Sequence, residues 1–180
     1  MSIKRKLILS GLALGVLSAA QTVQTLRRLI LIEGEWDIAR FDLSDAIGDR
    51  HEIAWKLTDA GREISDVAVL AETADAANEV AMKDGREGLP RPLAHEELLS
   101  IALRSLLGVM ERMPEVSPIA KDFREQLRAS DAKIAGALTT FNRYATEYNQ
   151  ILGSPFLQVP CRLGHLETEE KILCEAWESV

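Results

Sequence analysis

The sequence predicts an all-α fold, an elongated antiparallel helical bundle with an N-terminal hydrophobic helix. Three observations carry this. Gly and Pro are sparse and aromatic residues make up only 5% of the 180 residues, while Ala and Leu are abundant, a composition that suits helices better than a β-sandwich. Apolar residues recur at gaps of three and four, or their sum, along most of the chain, the spacing of a helix face. The connections between those periodic stretches are short, which forces consecutive helices to run antiparallel.

The first element is basic and then apolar. Lys4, Arg5 and Lys6 precede Leu7–Ala20, which carries no charge. Two readings stay open. A basic start, an apolar run and the small residues Ser18, Ala19 and Ala20 form the layout of a cleaved signal peptide. Extended through Gln21, Thr22, Gln24 and Thr25 to Leu26, the same run reaches about 20 residues, enough to cross a bilayer as a helix. No breaker separates it from Arg27, Arg28 and the apolar Leu29–Ile32, and this continuity favours an anchor over residues 1–32. Arg27 and Arg28 are then placed to reach lipid head groups. Three basic residues precede the span and two follow it, so the positive-inside rule leans weakly toward a body outside the cytoplasm.

The body is expected over 33–155. From about Glu35 to Met82 a second helical region carries a seam that includes Trp36, Ala39, Leu43, Ala46, Leu57, Val67, Ala71, Ala74 and Ala81. Arg50 interrupts it, and Gly48 and Gly61 mark places for a kink, each costing about 1 kcal/mol relative to Ala. Asp84–Pro92, with two glycines and two prolines, is the clearest loop. A third helix is expected from His95 to Met113, with Leu99, Leu103, Leu106 and Met110 as its seam. Leu98 and Ile101 widen that seam, which predicts a central position in the bundle. Pro114 stops it, and Ser117–Pro118 reads as the start of a fourth helix. That helix runs to Leu152 with Phe123, Leu127, Ile134, Leu138, Phe141, Ala145, Tyr148 and Leu152 on one face, before Gly153–Ser154–Pro155. The tail, 156–180, has a modest apolar stripe from Leu166 to Trp177.

From Leu103 onward the chain resembles the LemA family of bacterial membrane-anchored proteins. Leu106–Val116 stands where that family has a leucine pair followed by an acidic-aromatic-proline stop. Phe141-Asn142 and Glu147-Tyr148-Asn149 match its paired tyrosine-asparagine motif, and Ser154-Pro155 falls near its phenylalanine-proline stop. The middle signature departs from the family, with Trp55 in place of its proline and Lys56 in place of its asparagine. The resemblance implies a helical bundle on a single-pass anchor in the bacterial inner membrane. It brings no assigned catalytic residue and no cofactor.

The body after residue 32 holds 16 basic against 28 acidic residues, a net charge of −12. Such a surface repels nucleic acid and excludes it as a partner. Catalytic signals are scant. Cys161, His165 and Cys174 lack the compact paired spacing of a structural zinc site, and two cysteines make no disulfide framework. His95-Glu96-Glu97 lacks the second histidine of a zinc-protease helix, and acids at a helix start explain it better. Asn142 and Asn149 border the seam, either as register-setting hydrogen bonders or as part of a recognition stripe. Arg50 is paired in this reading with an acid such as Asp122 or Glu125, or solvated. The expected function is a scaffold or protein-interaction module with no enzymatic activity. Its partners are the lipid bilayer and either an unknown protein or a second copy. The alternative is a metal-dependent or hydrolytic enzyme with its site in the bundle core.

Overall fold

The computed structural model describes residues 3–85 and 94–154, with side chains over 15–83 and 95–154. Most of the Asp84–Pro92 loop, residues 7–14 of the hydrophobic segment as side chains, and the tail with Cys161, His165, Cys174 and Leu166–Trp177 lie outside that description. The described residues form four α-helices and no strand: α1 Ile3–Arg62, α2 Ala68–Gly85, α3 Ala94–Met110 and α4 Ser117–Leu152.

α1 joins the anticipated N-terminal helix to the next segment without interruption. The break comes later. After Gly61 and Arg62 the chain turns through Glu63–Val67, held by Ile64 N–H to Gly61 O (3.1 Å) and Val67 N–H to Ile64 O (3.1 Å). The expected single helix over 35–82 is therefore two. Its seam stays in phase across the turn because Ile64 and Val67 pack into the same core that Leu57 and Ala71 enter.

The chain divides into two compact units. One comprises Ile38–Asn142 and contains part or all of every helix. Its core is built from Leu57, Val67, Ala71, Leu103, Leu106, Met110 and Leu127, all buried. α1 and α4 run antiparallel here, with Asp49 against Lys133 and Arg50 against Asp131. The α3–α4 connection is tied by Arg124, which donates from Nε and Nη2 to the two carboxylate oxygens of Glu111 at 2.6 and 3.1 Å. α3 is not the enclosed central helix that its composition predicts. Leu98 and Ile101 on one side of it are exposed, while Leu99, Leu103, Leu106, Leu107 and Met110 on the other are fully buried.

Among the described residues, the other unit pairs those up to Asp37 with Arg143–Ser154. Leu29, Tyr148 and Ile151 form its core, flanked by Leu26, Ile32 and Leu152. Arg28 donates to Glu147 at 2.5 Å, and the Tyr144 hydroxyl donates to Glu35 at 3.3 Å. Residues up to 32 thus contribute to a packed cluster, so a body that begins at 33 would lose the cover over Tyr148.

Gly61 is required by packing. A Cβ there would stand 3.0 Å from the Ala71 Cβ and 3.4 Å from a Leu106 methyl. Ala71 Cβ is fixed to its backbone and cannot swing aside. Gly61→Ala is therefore expected to destabilise by about 1–3 kcal/mol, the cost of overpacking. That outweighs the gain of about 1 kcal/mol in helix propensity. Gly48→Ala, whose Cβ would meet nothing within 4 Å, should show the propensity gain alone. Urea titration of both variants checks the contrast, and equal midpoints would contradict the close approach of α1 and α2.

Candidate functional site

Each of the four helices in the Ile38–Asn142 unit carries a polar residue at a seam position. Arg50 follows Ala46 by four and precedes Ile53 by three on α1, and Asn78 sits between Ala74 and Ala81 on α2. Glu96 lies one step before Leu99 on α3, and Asp131 falls between Leu127 and Ile134 on α4. The helical spacing that buries the apolar neighbours buries these four as well, and a buried charge must find a partner.

They find one another. The guanidinium of Arg50, fully buried, donates from Nε to Asp131 Oδ1 at 2.9 Å and from Nη1 to Glu96 Oε2 at 2.9 Å. Its Nη2 donates to Ser100 Oγ at 2.7 Å, and that hydroxyl donates on to the Glu96 backbone oxygen at 2.9 Å. His51 extends the network. Its Nε2 stands 2.8 Å from Glu96 Oε1 and its Nδ1 2.5 Å from Asn78 Oδ1, while Asn78 Nδ2 donates to the His51 backbone oxygen at 3.2 Å. That last bond sets the orientation of the Asn78 amide. One polar layer thus crosses all four helices of this unit. Its planar, five-donor cation suits a bridge between two carboxylates in a way that an ammonium does not.

The placement corrects two expectations. Arg50 does not pair with Asp122 or Glu125, both of which are exposed, Asp122 accepting from Gln126 at 2.8 Å. Glu96 is not merely an acid at a helix start. It is buried and receives both Arg50 and His51. His51, Asn78, Ser100 and Asp131 were not singled out from sequence. The available signal was the missing apolar residue in each seam.

The remaining predicted residues are placed as follows. Phe141 is fully buried and Asn142 half-buried in the Ile38–Asn142 unit, whereas Tyr148 is buried and Asn149 half-buried in the other. All four make interactions within the fold. The aromatic pair thus lies on the packed side of α4, one member in each unit.

A cleft of about 450 Å³ opens beside the polar layer. Ser44, Ile47, Gly48, His51, Glu52 and Trp55 of α1 line it with Met82 of α2. His51 is the buried member of that lining and links the cleft to Glu96. Trp55 and Met82 are exposed walls.

The outer side of α1 carries exposed apolar residues as well. Val16, Val23 and Ile30 are exposed in one unit, and Ile38, Phe41 and Trp55 in the other. Helical spacing puts them about 100° or more round the helix from the packed residues Leu29 and Trp36, or Leu43, Arg50 and Leu57, of their own unit. Among the described residues no helix is long and apolar enough to cross a membrane. Likewise no group of three or more His, Cys, Asp or Glu there is arranged to hold a metal ion. Comparison with protein-family profiles, curated proteins and solved structures finds no match to this chain.

Proposed function

We propose that this protein is a membrane-anchored, LemA-like interaction module without enzymatic activity. The observation that carries the reading is the row of large apolar residues exposed on the outer side of α1. A helix in a water-soluble bundle is polar on the side away from the core, yet α1 exposes Val16, Leu17, Val23 and Ile30 in one unit and, interleaved with acids, Ile38, Phe41 and Trp55 in the other. In the N-terminal part that face continues the uncharged run from Leu7 and suits lipid. In the Ile38–Asn142 unit it suits a protein. The polar layer acts as a register key among the helices, the best-attested use of buried polar groups in helical assemblies.

The full-length chain is expected to sediment with membranes and to stay there through a high-salt wash. Removal of residues 1–20 should release a soluble helical protein. The cut is placed at 20 so that Leu26, Leu29 and Ile32 remain over Tyr148. Recovery of the full chain in the soluble fraction, or a mature N-terminus at Gln21, would refute the anchor.

The second reading, an enzyme with its site in the bundle core, is favoured by His51, Glu96 and Asp131 being buried in one layer. Against a metal centre stands the Arg50 guanidinium between the two carboxylates. It occupies the place that a divalent cation takes in carboxylate-lined bundles, and its charge repels one. Stoichiometric metal in the purified protein would favour the enzyme.

A further inference from the structure

We propose that the solvent-facing seam of α1 in the Ile38–Asn142 unit is a docking site for a basic amphipathic helix. The inference rests on the interaction-module reading and names the partner's chemistry. Starting at Ile38, outward positions follow at three and four residues: Phe41, Asp45, Gly48, Glu52, Trp55 and Asp59, all exposed. This is an a/d heptad seam. One column holds Phe41, Gly48 and Trp55, two aromatic knobs around a notch. The other holds Ile38, then Asp45, Glu52 and Asp59, an acid in each successive heptad.

That pattern opposes a second copy of this chain. In a parallel pair the three acids would face their own copies. In an antiparallel pair they would be buried against Phe41 and Trp55, and the one cation of that column, Arg62 at the end of α1, is already held by Asp75. Flanking positions on α1 add Asp42 and Asp49, the latter facing Lys133 of α4 at 3.5 Å, with Lys56 as the flanking base of α1 itself. The chain's own residues 155–180 carry five acidic against two basic side chains and mismatch the seam too. A helix bearing Lys or Arg at the positions facing the acids, with bulky apolar residues between, complements both columns. Buried cation–carboxylate pairs would then set its register and exclude acidic competitors.

Existing pairs do not block the site. Glu52 is held by Lys56 at 2.6 Å and Asp59 lies 3.9 Å from Arg62, both on the same helix and solvent-exposed. Such pairs are weak and exchange readily. The notch is open, since a Cβ on Gly48 would meet nothing within 4 Å. Next to it the cleft lined by Ile47, His51, Trp55 and Met82 deepens the groove for one large apolar side chain.

The test uses the full-length chain in detergent and a fluorescent synthetic helix of about three heptads, with Leu facing the Phe41–Gly48–Trp55 column and Lys facing the acids. A second peptide has Glu in place of Lys. The Lys peptide is expected to bind at least about tenfold tighter, by anisotropy, and to weaken as salt rises. Gly48→Phe, whose Cβ meets nothing within 4 Å and whose ring fills the notch, and Glu52→Lys should each reduce its affinity at least about tenfold while the thermal melt is retained. Equal binding of the two peptides, or no loss in both variants, overturns the proposal. So does a wild-type dimer that Phe41→Ser dissociates, because the occupant is then a second copy. Failure here leaves the membrane fractionation result standing. A soluble full-length chain that still prefers the Lys peptide would instead remove the anchor and keep the docking site.

Discussion

Arg50→Ala is expected to cost about 3–5 kcal/mol, the range for removing one partner of a buried ion pair. That is a large share of the roughly 5–15 kcal/mol that holds a domain folded. The loss has a definite source. Glu96 and Asp131 are buried, and without the guanidinium their charges lose the donors at 2.9 Å from each. Ser100 Oγ loses its donor as well. Arg50→Lys should recover only a minor part, because one ammonium cannot reproduce a planar fork that reaches residues on two helices. Urea titration followed by circular dichroism measures both. A cost below about 1 kcal/mol for Arg50→Ala would mean that the layer is hydrated and the helices are not packed as described.

The same chemistry predicts an inverse result. Replacing Arg50, Glu96 and Asp131 together by Met, Leu and Leu removes the cation and both anions at once. Desolvating three ionised groups is costly, so the triple variant should recover most of the loss seen in Arg50→Ala, and it can exceed the parent in stability. What it should lose is uniqueness of helix register, read as broadened amide resonances. Near-parent stability combined with a well-dispersed spectrum would leave the layer without the register role assigned to it under the interaction-module reading.

Periodicity made most of the core legible. Leu43, Leu57, Val67, Ala71, Leu99, Leu103, Leu106, Leu127, Ile134 and Phe141 all lie on predicted seams and all are buried. The break at Glu63–Val67 was hidden by the same signal, since a turn with i to i+3 hydrogen bonds keeps apolar residues at gaps near three and four. Gly61 was visible as a weak helix former, but its purpose was not. Its close approach to Ala71 depends on where α2 returns along α1.

The polar layer was half legible. Arg50 stood out because it broke its seam. Asp131 was concealed because a gap of seven between Leu127 and Ile134 still fits the helical period. Its pairing with Arg50 could not be read either. Antiparallel seams match about equally well when slid by a turn, and only the fold distinguishes Asp131 from Asp122, some two and a half turns earlier. The outer face of α1 was missed for a different reason. One seam satisfied the search, although Val16, Val23 and Ile30 repeat at intervals of seven. α3 erred in the opposite direction. Its general apolarity predicted enclosure, but Leu98 and Ile101 face outward.

Phe141→Ala should have an effect of similar size to the loss of Arg50, about 3–5 kcal/mol. Phe141 is fully enclosed in the Ile38–Asn142 unit, and its neighbours on the α4 seam, Leu138 and Ala145, are buried too. Truncation removes the ring's transfer free energy and adds the cost of the cavity it leaves. Phe141→Leu keeps most of the volume and should cost less than about 1.5 kcal/mol. Tyr148, two turns further on, is the matched control in the other unit. Its ring packs on Leu29 and Ile151 in a cluster of three buried residues and keeps a little exposure where Phe141 has none, so Tyr148→Ala should cost less than Phe141→Ala. If the two substitutions prove equal, the small cluster of Leu29, Tyr148 and Ile151 holds its ring as firmly as Phe141 is held. If Phe141→Ala costs under about 1 kcal/mol, its ring is not enclosed.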